Sequence, residues 1–482
     1  MPSALRNLYF KSTAFAGIAK IFLAVSGVIT IWQLNLIMSK DDFGAFMIVF
    51  SLYQIIAATL STLFQSCILY HVPSDESTAK TDIPHPIARA GMGLSCVISA
   101  AIGILCFVGA PFLAGLFNKP DLSLWFAAMA GFIPAFTINM VLTSWHRALQ
   151  NIDKLTLYNE ILPSILRIAA LASLGFITHS SHLFTWVGCA FIASYLIPFA
   201  ALYIQTPLRP SLNWRVFSAW DVKYAAQSGF GQLVNKSTRN LVIVLSGALA
   251  STALTADFAI ASRFGQLLLI PKNALVQLLT PRIRAHLKQN NRTALIDEYR
   301  TNQALMLCAT LCGIIAFILF SKPVLAQFGD YGQQTYDILI LLSIASLLRA
   351  AFGDAGGFIA MAGHAGWALI THTVSFVTLL IGFIYLVPEY QGIGAAYATN
   401  IAVLITMLSI TTIIKKKNTY ALIAWPEILT LILTTCTIIA FTHTNTSALI
   451  AASACAAICC AYIFIRIKSV LHFFSLIKNK VS

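Results

Sequence analysis

The sequence predicts an all-α polytopic membrane protein of about fourteen transmembrane helices, and three observations carry that prediction. Hydrophobic residues make up 58% and charged residues 10% of the 482-residue chain, too apolar a mixture for a soluble core beneath a charged surface. Apolar segments of about 20 residues, the length that crosses a bilayer as a helix, recur along it with short polar breaks between them. Lys and Arg gather in alternate breaks, which is the asymmetry expected of loops retained on the cytoplasmic side.

The first span, 14–37, follows Arg6 and Lys11. It is longer than a signal-peptide core of about 7–15 residues and reads as a retained helix. Spans 45–70, 88–116, 122–145, 158–177 and 183–204 complete a first lobe, 1–204. The basic loop 205–223, which contains Trp214 and Trp220, reads as a cytoplasmic link between lobes with an interfacial stretch. Spans 224–249, 255–279, 303–325, 336–360, 365–387 and 392–414 form a second lobe, 224–414. Two further helices, 422–441 and 447–465, and a cytoplasmic tail occupy 415–482. A short internal echo supports duplicated lobes: Asp42-Phe43-Gly44-Ala45 after span 1 is matched by Asp257-Phe258-Ala259-Ile260 after span 7, and such repeats are common in transporters.

With a cytoplasmic N-terminus, only Lys40, Lys119 and Lys322 of the 31 Lys and Arg residues fall in outside loops. Both termini are then expected in the cytoplasm. Trp32, Trp125, Trp145, Trp186, Trp367 and Trp425 lie near span ends, at the depth where an amphipathic ring is favoured. The net charge of +14 is dispersed among apolar spans rather than gathered on one polar face, which excludes nucleic acid as a partner. The outside loops are short and leave no external domain for catalysis. The ten cysteines fall in or beside apolar spans and read as small hydrophobes. No CxxC, HExxH or zinc-spaced cluster is present, nor a Walker sequence or a nucleophile with its base. The expectation is a non-enzyme without cofactor or metal. If it transports, it runs on an ion gradient, H+ or Na+, or on the gradient of its own substrate.

Seven basic residues lie inside the apolar spans: Lys20, Arg167, Lys236, Arg239, Arg263, Lys272 and Arg349. Each costs about 2.5–3.5 kcal/mol at a bilayer centre, roughly 20 kcal/mol together, so they are expected to face an interior. Span 7 is the most polar. Gln232 and Lys236 are four apart, as are Asn235 and Arg239, so each pair shares a helix face. Span 8 adds Arg263 and Gln266, three apart. Lys236, Arg239 and Arg263 are the leading candidates for an anion site, with Lys20, Asn235, Gln232, Gln266 and Arg349 as additions. Lys272 is equally readable as a snorkelling side chain. Arg167 either lines a cavity or caps carbonyls of an adjacent broken helix. Asp354 is the candidate coupling carboxylate, with Asp257 second. Gly353 and Gly357 form a GxxxG spacing, read as helix packing or a hinge.

Four features in order carry a family resemblance over the whole length. They are Asp42-Phe43-Gly44-Ala45 after span 1, Arg147-Ala148-Leu149-Gln150 leaving span 4, Pro281 before a basic loop, and Gly392-Ile393-Gly394-Ala395-Ala396 opening span 12. The chain resembles the polysaccharide-transporter branch (O-antigen and capsule flippases) of the multidrug/oligosaccharidyl-lipid/polysaccharide flippase superfamily. The resemblance implies two six-helix lobes around a central cationic cavity in a bacterial inner membrane. It also implies alternating access that carries undecaprenyl-diphosphate-linked oligosaccharide to the outer leaflet. The partners implied are that lipid-linked oligosaccharide, membrane lipids, and a glycan polymerase with chain-length machinery. Span 2 lacks an ionisable residue, a departure from the peptidoglycan-precursor branch that favours an O-antigen or capsule/exopolysaccharide repeat unit. The alternatives are a cation-coupled multidrug exporter of the same superfamily, which membrane-embedded acids would favour, and a membrane glycan polymerase or ligase, which an external catalytic loop would favour.

Overall fold

The computed structural model describes residues 3–72, 86–149, 151–174, 183–273, 275–276, 292–329, 331–353, 355, 358–359, 365–418, 425–444 and 447–481. Side chains are described for these except 3–18, 20, 152, 224, 226–239, 292, 365–366, 368–369, 417–418, 443–444 and 467–481. All regular structure among the described residues is helical. Ten helices there are long and apolar enough to cross a membrane.

The chain forms two compact units, Met1–Ala256 and Asp257–Ser482. In the first, α1 (Ser3–Ile37) and α2 (Lys40–His71) are followed by α3 (Pro86–Val108) and the short α4 (Ala110–Leu116). Then come α5 (Leu122–Met129), α6 (Phe132–Ala148) and α7 (Ile152–Thr156). A π turn, Leu157–Ile161, leads from α7 into α8 (Leu162–Leu174), and α9 (Leu183–Ile204) and α10 (Ala219–Leu249) complete the unit. The helix α11 (Thr252–Leu267) crosses the division. The second unit continues with α12 (Arg292–Leu325), α13 (Gln333–Ala351), α14 (Ala365–Asn418), α15 (Trp425–Thr444) and α16 (Ala448–Val481). Each expected span is thus matched by a helix. Spans 11 and 12 share α14, whose backbone breaks at Gln391 (φ 50°) three residues after Pro388.

Two buried cores organise the first unit. At the His71 end, Ile68, Met92, Val141, Leu142, Trp145 and Leu202 pack together. Farther along, Phe46, Phe50, Phe132 and Phe191 form an aromatic cluster with centroids 5.1–5.3 Å apart for Phe46–Phe191, Phe50–Phe191 and Phe50–Phe132. The helix α10, expected to open the second lobe, packs along α2 within this unit.

In the second unit, the expected continuous span 336–360 stops early. The helix α13 ends at Ala351, and Gly353 adopts φ +64°, a left-handed conformation that favours glycine after a helix C-terminus. A Cβ at Gly353 would also sit 3.0 Å from the Tyr299 hydroxyl. Gly353 therefore lies at a break in the helix, as the hinge reading expected, while Gly357 lies outside the described residues. The freed carbonyls are satisfied from α12: Tyr299 donates to Phe352 O at 2.7 Å, and Gln303 donates to Ala351 O.

Candidate functional site

On α10, Gln232, Asn235, Lys236 and Arg239 occupy one unbroken helix, so their four-residue spacings hold. Their side chains, and that of Lys20 on α1, lie outside the described residues. What is described is how α10 is held. It runs antiparallel to α2, is bonded to it at two levels and is held at its far end by Lys119.

At the middle, Asn240 donates to Gln54 Oε1 at 3.1 Å. At one end, Ser218 and Asp221 form a reciprocal capping box that satisfies the first amides of α10. Asp221 is 3% exposed and lies 2.5 Å from His71 Nε2. Burial works to raise the Asp221 carboxyl, but hydrogen bonds from His71 and Ser218 outweigh it and hold the group below its ordinary range. At the other end, Lys119 donates to Gly247 O at 2.6 Å and to Ala250 O at 2.7 Å. These are the orphan carbonyls of the α10 C-terminus, where a cation is favoured. Asn118, at φ 52°, turns the chain out of α4 and directs Lys119 there. Burial pushes the Lys119 ammonium down, and the Asp41 carboxylate acts in the opposite direction. Thr252 donates to Asp41 Oδ1 at 2.5 Å. The approach at this end is close: a Cβ on Gly44 would lie 2.0 Å from Thr252 O.

Arg167 lies on the buried stripe of α8 with Pro163, Ser164, Leu171 and Leu174 and is 9% exposed. Its guanidinium carbon stands 5.3 Å from the centroid of Phe191. Its Nε is buried without a partner, and the group makes no hydrogen bond or ion pair among the described residues. The carbonyl-capping reading of Arg167 is therefore replaced by an interior one. Beside it, Gln33 Nε2 donates to Ile168 O at 3.2 Å, while Gln33 Oε1 is buried without a partner.

In the second unit, Arg263 and Gln266 are half-buried, three residues apart on α11, as is Lys272 in the helical stretch that follows the turn at 268–269. Arg349 is half-buried in the last turn of α13, where its charge complements the helix dipole. Asp354 lies outside the described residues. Asp257 is 3% exposed and accepts from Thr335 Oγ1 at 2.5 Å. Burial first, and then the Asp257 charge, raises the Tyr331 phenol in the neighbouring loop.

Two buried acids escaped the sequence reading, Asp221 described above and one in the second unit. Glu427, near the start of α15, has no exposure. It accepts at Oε1 from Arg466 Nε at 2.9 Å, Arg466 Nη2 at 2.5 Å and Tyr462 Oη at 3.0 Å. This cluster ties α15 to α16.

No family model and no curated protein sequence matches the chain. Solved structures do resemble it. A lipid II flippase MurJ in an inward closed conformation superposes with a TM-score of 0.73 at 14% identity, over 95% of this chain and 100% of that one. An inward-facing multidrug resistance MATE family transporter of the MOP superfamily gives 0.66 at 14% identity, over 84% and 99%. A MOP superfamily transporter from Pyrococcus furiosus, described as having a binding pocket of reverse polarity that suggests a different function, gives 0.56 at 15% identity, over 85% and 94%. At these identities the likeness establishes a shared fold: this is a multi-pass membrane protein with the architecture of MOP superfamily transporters.

Proposed function

We propose that this chain is a flippase that moves an undecaprenyl-diphosphate-linked oligosaccharide repeat unit from the cytoplasmic to the outer leaflet of a bacterial inner membrane. The destination is O-antigen, capsule or exopolysaccharide. The observation that supports this reading is the sign of the charge in the spans. Basic residues occupy the apolar spans of both units, and the acids buried among the described residues, Asp221, Asp257 and Glu427, lie at helix or span ends. A diphosphate is an anion that such an interior stabilises. Lys236, Arg239 and Arg263 are its proposed ligands, with Lys20, Gln232, Asn235, Gln266 and Arg349 supporting. Alternating access between lobes 1–204 and 224–414, with both termini cytoplasmic, is the proposed mechanism. Asp354 and Asp257 are the proposed coupling groups. The absence of an ionisable residue from the middle of α2 favours a repeat unit over a peptidoglycan precursor.

The likeness to MATE transporters supports a second reading, a cation-coupled multidrug exporter. An organic cation would be repelled by the interior charges, so the two readings differ in the sign of the substrate. Lys236→Ala or Arg239→Ala should abolish surface glycan while leaving membrane insertion unchanged, measured by glycan immunoblot and by protein recovered in the membrane fraction. Wild-type glycan in both variants would sink the anion site. Gain or loss of organic-cation resistance in the same strains would favour the exporter.

A further inference from the structure

The strap that joins α9 to α10, together with the first turn of α10, is fixed from within. Leu208 is buried in the core at the His71 end, and Val216 and Phe217 pack on Cys67, Ile87 and Ala225. Its backbone is clamped to α3: Ser211 N donates to Arg89 O at 2.9 Å, and Arg89 Nε donates to Arg209 O at 3.1 Å. A Cβ on Gly93 would overlap Ser211 O, so strap and helix run in direct contact. Held in this way, the strap turns its remaining residues outward. Leu212, Trp214, Trp220 and Val222 are exposed, Trp214 at 67%. Arg209, Arg215 and Lys223 are exposed on the same stretch. The one acid between 207 and 223, Asp221, is buried and engaged with His71 and the α10 cap.

The place of the strap identifies what covers it. It crosses the ends of α2, α3 and α9, each long and apolar enough to span a membrane, and so lies where acyl chains give way to headgroups. Tryptophan is favoured at that depth, and basic residues interleaved with apolar ones bind an anionic bilayer surface. We infer that 207–223 is a docking surface for anionic glycerophospholipid. Leu212, Trp214, Trp220 and Val222 enter the headgroup boundary, and Arg209, Arg215 and Lys223 receive lipid phosphates. Because the strap continues into the capping box of α10, lipid bound there fixes the start of the helix that carries Lys236 and Arg239. The inference does not depend on the sign of the substrate and holds for a flippase and an exporter alike.

The test is hydrogen exchange of the full-length protein in nanodiscs, read by mass spectrometry on the peptides that cover 205–223. One set of discs is phosphatidylcholine alone, and the other is equal parts phosphatidylcholine and phosphatidylglycerol. Exchange in these peptides should be several-fold slower in the anionic discs. Arg209→Gln/Arg215→Gln/Lys223→Gln should abolish that difference, since each basic residue near an anionic surface strengthens binding about fivefold. A difference of wild-type size in the triple variant would overturn the inference. Glycerol phosphate added to the phosphatidylcholine discs should not reproduce the slowing; if it does, the strap holds a free phosphate and the lipid surface is overturned. Equal exchange of the wild type in the two bilayers, the result expected if a soluble protein covers the strap, overturns it as well. Should the triple variant fail to fold, Leu212→Ser/Trp214→Ser keeps all three charges and removes apolar contact. It should exchange faster than wild type in both sets of discs, and unchanged exchange would overturn the docking surface equally.

Discussion

Two arginines, the buried Arg167 in the first unit and the half-buried Arg466 in the second, show two ways in which a fold treats a positive charge. Arg466 places Nε and Nη2 on a Glu427 oxygen that also accepts from Tyr462. Arg167 has an aromatic ring and nothing else among the described residues. Both lie on helices, and either reads in the sequence as a basic residue in or beside a span. The difference is one of accounting for hydrogen bonds. Arg466 is held by a carboxylate that spans two helices, whereas Arg167 is held by packing against Phe191.

The comparison can be broken at its strongest point. Arg466→Met strips the partner from a carboxylate with no exposure, and removing one member of a buried pair costs about 3 kcal/mol or more. The full-length protein should melt markedly lower in detergent, and Glu427→Leu/Arg466→Met should recover most of that loss. Failure of the double variant to recover would mean that the pair does not act as a unit.

An intermediate case is the His71–Asp221 pair, whose histidine is partly exposed. Asp221→Asn should cost about 1 kcal/mol, the usual worth of a helix cap. Because the Asp221 carboxyl is held below its unfolded value, its contribution is complete above that unfolded value, near 3.9, and is lost as pH falls through the lower folded value. Melting measured from pH 7 down to pH 3 should therefore show a steeper acid decline for wild type than for Asp221→Asn. Parallel curves would remove the pair from the stability of this end.

The smallest expected effect on stability is the most discriminating. Arg167→Met removes an unpaired buried charge and should leave the melting temperature unchanged or raise it. A drop comparable to that of Arg466→Met would erase the contrast.

Much of the architecture was legible because a bilayer imposes it. Segment length depends on local composition, and among the described residues each of the fourteen spans overlaps a helix, spans 11 and 12 sharing α14. What was not legible depended on breaks and distant partners. Gly353 was readable as GxxxG packing or as a hinge, and nothing in its neighbours reports that Tyr299 and Gln303 receive the end of α13. The face presented by Arg167 is set by a π turn, and no periodicity analysis that assumes 3.6 residues per turn would find it. Glu427 was passed over near a span end because its partners lie 35 and 39 residues away. Lys119 was read only as a topology marker; its cap on α10 follows from the left-handed Asn118, a weak signal that glycine-like conformations at asparagine do provide. The cations of α10 and α11 were visible because charge in an apolar run is conspicuous whatever the fold.

The seam between α2 and α10 also has a consequence for how the chain is made. Gln54 precedes its partner Asn240 by 186 residues, and at about 5–20 residues per second the ribosome takes roughly 10–40 s to cover that distance. For that interval α2 has left the ribosome with its Gln54 amide and the close-approach surface around Gly44 uncovered. Four later spans are made before the helix that completes it exists. The seam is thus a delayed closure in biogenesis, and chains that stall before α10 are the ones in which α2 remains open to the wrong neighbour.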